Sequence, residues 1–196
     1  MPERRWLPGP AALPWLVLAL PGCVASMPPG AAARLRELDA QLLSHDSATA
    51  TLEQWCGELH LADPPTVRAQ RITGPDRPAD ATVRRELRVA PDQPLGYRHV
   101  RLLCGTTLLS EADNWYVPSR LTPAMKEVLD HTDEPFGRVV QPLGFTRITL
   151  SAEMPRGSST VLRHRAVLVL ADGTPISYVT EAYQSTVLGI ARLHAH

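Results

Sequence analysis

Two kinds of residue stand where their side chains are costly unless they are used. Glu181 follows the apolar run Ile176-Ser177-Tyr178-Val179-Thr180, and a carboxyl group there costs free energy unless it is paired or kept neutral. Arg98 and Arg101 interrupt the strand-like stretch that ends in Leu102-Leu103-Cys104. A spacing of three in a strand sends them to opposite faces, so at most one enters any given pocket. For all three the plain alternative is a solvated strand face. Other chemistry lacks a motif: there is no CxxC, no HxxxH or HExxH and no Gly-rich phosphate loop, so zinc, haem attachment and nucleotide binding have no sequence support, and no metal or other cofactor is expected. His194 and His196 are too few to form a metal tract.

The elements that must position these groups lie in a chain of 196 residues, 44% apolar and 20% charged, which is long enough for one core and short for two domains. Twenty basic residues balance twenty acidic ones, so no global field points to nucleic acid. Arg4-Arg5, an apolar stretch from Trp6 to Val24 broken by Pro10, Pro14 and Pro21, and the small residues Gly22, Ala25 and Ser26 follow the order of a secretory signal. Leu20-Pro21-Gly22-Cys23 resembles a bacterial lipoprotein cleavage box, which would make Cys23 the lipidated residue and a membrane anchor. Residues 1–26 are therefore read as a signal peptide or lipoprotein signal, and 27–196 as a single domain that is periplasmic or membrane-anchored. The alternative is a cytoplasmic protein whose start lies near Met27. Of the remaining cysteines, Cys56 and Cys104 sit among apolar neighbours and read as two buried small hydrophobes, although an oxidising compartment would allow them to pair.

Leu35, Leu38 and Leu42 recur at helical spacing in 34–44, and after His45-Asp46-Ser47 the set Leu52, Trp55, Cys56 and Leu59 predicts a second helix. A short strand is expected at 66–72. From residue 82 the period changes to two: Val83, Leu87 and Val89 alternate with Arg84, Glu86 and Arg88 as in a strand, and 97–103 and 108–117 follow, joined at Cys104-Gly105-Thr106-Thr107. Thr122-Pro123 is a cap and first-turn pair for a helix bearing Met125, Val128 and Leu129. Strands are expected at 145–152, 161–170 and 175–185, the last two joined at Ala171-Asp172-Gly173. This order predicts an α+β domain with a mainly antiparallel sheet of about six strands and helices packed on one face.

Four stretches in this order resemble the chorismate pyruvate-lyase family, whose fold is shared by the ligand-sensing domains of a class of transcription regulators. They are Leu42-Leu43 with Asp46-Ser47-Ala48-Thr49 and Leu52-Glu53-Gln54; Arg98-His99-Val100-Arg101-Leu102-Leu103-Cys104; Thr132-Asp133-Glu134-Pro135-Phe136-Gly137-Arg138; and Gly173-Thr174-Pro175 through Thr180-Glu181. The resemblance spans roughly residues 40–185. It implies a chorismate lyase-like fold and, residue by residue, a site: Arg98 pairing with a substrate carboxylate through its planar fork, the Phe136 backbone at the ring substituent, Ala48 and Thr49 in the wall, and Glu181 at the far end. Arg101 is a competing match for the arginine. Ala48 stands where the family has methionine, Phe136 replaces leucine, and one extra residue separates Gly173 from Glu181.

The activity implied is the elimination of pyruvate from chorismate to give 4-hydroxybenzoate, without a metal. Arg98 would supply charge complementarity, and a desolvated Glu181 with a raised pKa would hydrogen-bond or protonate the oxygen end of the ligand. The rival is a non-catalytic binding module for a small aromatic carboxylic acid, exported or lipid-anchored, because chorismate is made in the cytoplasm and an exported lyase would meet little of it. A ligand-free envelope protein is the third reading. A monomer is expected.

Overall fold

The computed structural model describes residues 28–190, so the expected signal, Cys23, His194 and His196 lie outside the described residues. The chain opens with helices α1 (Ala31–Ser44) and α2 (Ala48–Glu58). The side chain of Ser47 caps α2 by accepting a hydrogen bond from the Ala50 amide at 3.2 Å. Six strands follow: β1 (Val67–Arg71), β2 (Gly96–Cys104), β3 (Thr107–Tyr116), β4 (Thr146–Glu153), β5 (Thr160–Val169) and β6 (Pro175–Gln184). They form one antiparallel sheet in the order β1-β2-β3-β6-β5-β4. The expected α+β class and strand number are thus found.

Helices α1 and α2 lay Leu35, Leu38, Leu42, Leu52 and Trp55 on one sheet face, against Val100, Leu102, Ala112 and Val179. Each such side chain removed from water contributes about 1.5–3 kcal/mol, which is what holds the helices at the sheet. Helix α4 (Pro123–His131) begins as expected, with Thr122 accepting from the Met125 amide and Pro123 in the first turn. A further helical turn, α5 (Phe136–Val140), was not anticipated.

Three expectations are corrected. The stretch read as a strand at 82–89 is helix α3 (Ala81–Leu87), capped by Asp80 Oδ1 at 2.8 Å from the Val83 amide. Val83 and Leu87 are four apart, a spacing that satisfies both a period of two and a helical face, and the Asp80 cap decides it. This helix covers the opposite sheet face, packing on Trp115, Val167 and Tyr178, so the helices are not all on one side. Cys56 and Cys104, both fully buried in the core between the helices and the sheet, are bonded as a disulfide with Cα atoms 6.0 Å apart.

Candidate functional site

The cross-strand register brings residues from three strands, β2, β3 and β6, to a common point under the start of α2. Arg98 lies opposite Asn114, Asn114 opposite Val179, and Ala112 opposite Glu181. All five line a cavity of about 60 Å³, closed above by Ala48, Thr49, Phe136 and Gly137. Of the residues named from the sequence, Arg98, Glu181, Phe136, Ala48 and Thr49 therefore meet. Arg101 does not: it is on the outer face, about half exposed, with Nε 3.5 Å from Glu111. The competing arginine is thereby placed away from the pocket.

Arg98 is 2% exposed, and its Nη1 donates to the Glu134 carbonyl at 3.2 Å. Its Nε and Nη2 are buried with no hydrogen-bond partner among the described residues. Burial depresses the pKa of this guanidinium below its ordinary value, the Arg71 charge adds to that, and Tyr116, Asp130 and Asp133 offset it in part. A desolvated cation with two idle donors can accept an anion, since each unmet buried donor costs about 1–3 kcal/mol until a partner arrives.

Glu181 is held differently from the expectation. Arg147, a residue the sequence reading did not single out, places Nη2 2.5 Å from Glu181 Oε2, with 3% and 7% of the two side chains exposed. The fully buried Tyr183 donates its hydroxyl to the same oxygen at 2.9 Å. Burial works against the Arg147 charge, and the adjacent carboxylate more than compensates, so its pKa stands above the ordinary arginine value. Both a guanidinium and a phenol hydroxyl thus meet Glu181, so this carboxyl group is paired inside the sheet rather than standing alone. Arg147 escaped notice because β4 is inverted in polarity: Ile148 and Leu150 point outward, 48% and 44% exposed, while the arginine between Thr146 and Ile148 points in.

The wall above the pocket is pinned by Arg138, which pairs with Glu134 and Glu53 and donates to the Val67 carbonyl at 3.2 Å. Phe136 packs on Tyr116, with ring centroids 5.5 Å apart. Tyr116 in turn lies over Gly96, where a β-carbon would collide with its ring. Glycine at 96 is thus needed for close approach, and through Tyr116 it seats the aromatic wall of the pocket. The chain is 48% identical over 181 residues to the uncharacterized protein y4mC of Sinorhizobium fredii (strain NBRC 101917 / NGR234), covering 81% of this chain and 76% of that one.

The chain belongs to the y4mC family. No family model matches it. Among solved structures, this y4mC-family chain is similar to PhnF from Mycobacterium smegmatis, with a TM-score of 0.54 and 14% identity over 84% of each chain. That likeness is one of fold, the chorismate lyase-like arrangement of sheet and helices. It is also similar to the possible transcriptional regulator YydK from Bacillus subtilis, at a TM-score of 0.44 and 15% identity, and the match spans 66% of this chain and 62% of YydK.

Proposed function

We infer that this protein is a binding module for a small monocarboxylic acid, held by Arg98. The single observation that carries the reading is the buried guanidinium whose Nε and Nη2 have no partner among the described residues. Among the charged groups buried at the pocket, Arg147 and Glu181 neutralise one another, and Arg98 remains with one net positive charge. That balance suits a ligand with one carboxylate better than the dianion chorismate. A pocket of about 60 Å³ is also well below the roughly 300–1,000 Å³ that encloses drug-sized ligands. The helix α2 starts at the pocket, and the positive end of its dipole favours the same anion.

Elimination of pyruvate from chorismate is the reading this geometry favours less, because it would draw on a protonated Glu181 and the carboxyl group is engaged by Arg147 and Tyr183. Export is part of the proposal. The Cys56–Cys104 disulfide supports an oxidising compartment, in keeping with the signal-like residues 1–26, and lipidation of Cys23 would anchor the domain to a membrane.

The test is a thermal-shift and calorimetric series with acetate, benzoate and 4-hydroxybenzoate, beside a coupled pyruvate assay with chorismate. A binding module gives a melting temperature that rises with acid concentration and no pyruvate. Steady pyruvate release that ceases in Glu181→Gln would instead establish the lyase.

A further inference from the structure

Arg98 and Asn114 are direct cross-strand partners on β2 and β3. Their side chains leave the pocket face side by side, with β-carbons about 5 Å apart. Asn114 is 5% exposed, and its Oδ1 accepts the hydroxyl hydrogen of the fully buried Ser177. That bond orients the amide: the carbonyl oxygen turns toward β6 and the Nδ2 donors are left for the cavity. The pocket wall around Arg98 thus offers Arg98 Nε and Nη2 and Asn114 Nδ2, all donors.

The identity of residue 114 is informative because a better partner for Arg98 differs by one group. Aspartate has the same length, would accept the same bond from Ser177, and would set a carboxylate beside a guanidinium that now pairs with no acidic side chain among the described residues. A buried charge without a counter-ion weakens a fold, whereas a paired one costs far less. The neutral amide leaves that stabilisation unused and leaves the cation open.

We propose that Asn114 is a specificity-determining residue of the pocket: it keeps Arg98 free for an incoming carboxylate and donates through Nδ2 to that same carboxylate. The assignment rests on the carboxylate-binding reading above and deepens it. It implies a ligand oxygen pair met by three N–H donors, so an acid is held and its amide or methyl ester is rejected, since the amide nitrogen or ester methyl would face a donor.

The experiment is Asn114→Asp, measured twice: melting temperature without ligand, and affinity for acetate, benzoate and 4-hydroxybenzoate. The expected result is a melting temperature raised by several degrees together with at least a tenfold loss of affinity for whichever acid the unsubstituted protein binds. An affinity that survives the substitution overturns the proposal. So does a melting temperature that falls, or a variant that does not fold. If the unsubstituted protein binds none of the acids, the carboxylate reading fails by itself. The melting temperature then still decides whether residue 114 holds Arg98 open.

Discussion

Arg147 on β4 and Glu181 on β6 close on one another beneath the pocket although β5 lies between their strands, and hardly any of either side chain meets solvent. The carboxylate that appears unsupported along β6 is thus half of an ion pair assembled across the sheet.

Breaking that pair from one side leaves a charge stranded. Glu181→Gln is expected to lower unfolding free energy by about 3–5 kcal/mol in urea titrations, whereas the double change Arg147→Met with Glu181→Leu recovers most of it. A single-substitution loss under about 1 kcal/mol would contradict the burial of the pair.

Arg98 behaves in the opposite sense. Arg98→Met removes two unmet buried donors, so chemical denaturation should show stability unchanged or raised by about 1–3 kcal/mol, while carboxylate binding falls at least tenfold. Arg101→Ala, on the exposed face, should shift stability by less than about 0.5 kcal/mol and leave binding as it was.

The Cys56–Cys104 bond closes a separation of 48 residues. Loop-closure entropy for that length is about 4 kcal/mol, so Cys56→Ala with Cys104→Ala should lose roughly 2–5 kcal/mol. Mass spectrometry of the native protein under non-reducing alkylation should find neither thiol modified.

All four tyrosines have pKa values above the ordinary 10.0: Tyr97, Tyr116, Tyr178 and Tyr183, each chiefly because burial penalises the phenolate. Above pH 10 the unfolded chain releases phenolic protons that the folded one keeps, so their contribution to stability is full below pH 10 and declines as pH rises toward the folded values. Phenolate absorbance should accordingly appear together with loss of circular dichroism. Tyrosine ionisation well before unfolding would refute it.

Gly96→Ala sets a β-carbon against the Tyr116 ring. The expected cost is about 1–3 kcal/mol from overpacking, with weaker acid binding as Phe136 loses its support. Thermal melts and titration of the variant check both.

How far these relationships were legible differs element by element. Leu35, Leu38 and Leu42, the Ser47 and Thr122 caps and the alternating strands from residue 97 onward announce their elements, because each signal is local: a period, a cap or a turn within a few residues. The helix at 81–87 was misread where two periods coincide. Arg98 and Glu181 were noticed because a charge in an apolar strand is visible in one dimension. Arg147, Asn114 and Ser177 were not, because each is ordinary in its own strand and gains its meaning from a neighbour 34 to 63 residues away.

By itself the sequence determined the helices at 34–44, 52–59 and after Thr122, the strands other than the one read at 82–89, the α+β class, and the short set of costly charges, since local periodicity and desolvation cost depend on residue type and spacing alone. Only the tertiary structure decided that Arg98 faces in and Arg101 out, that Glu181 has a counter-ion while Arg98 has none among the described residues, and that the two cysteines bond. Those outcomes depend on strand order and register, which are set by how all six strands and the helices bury their apolar faces together.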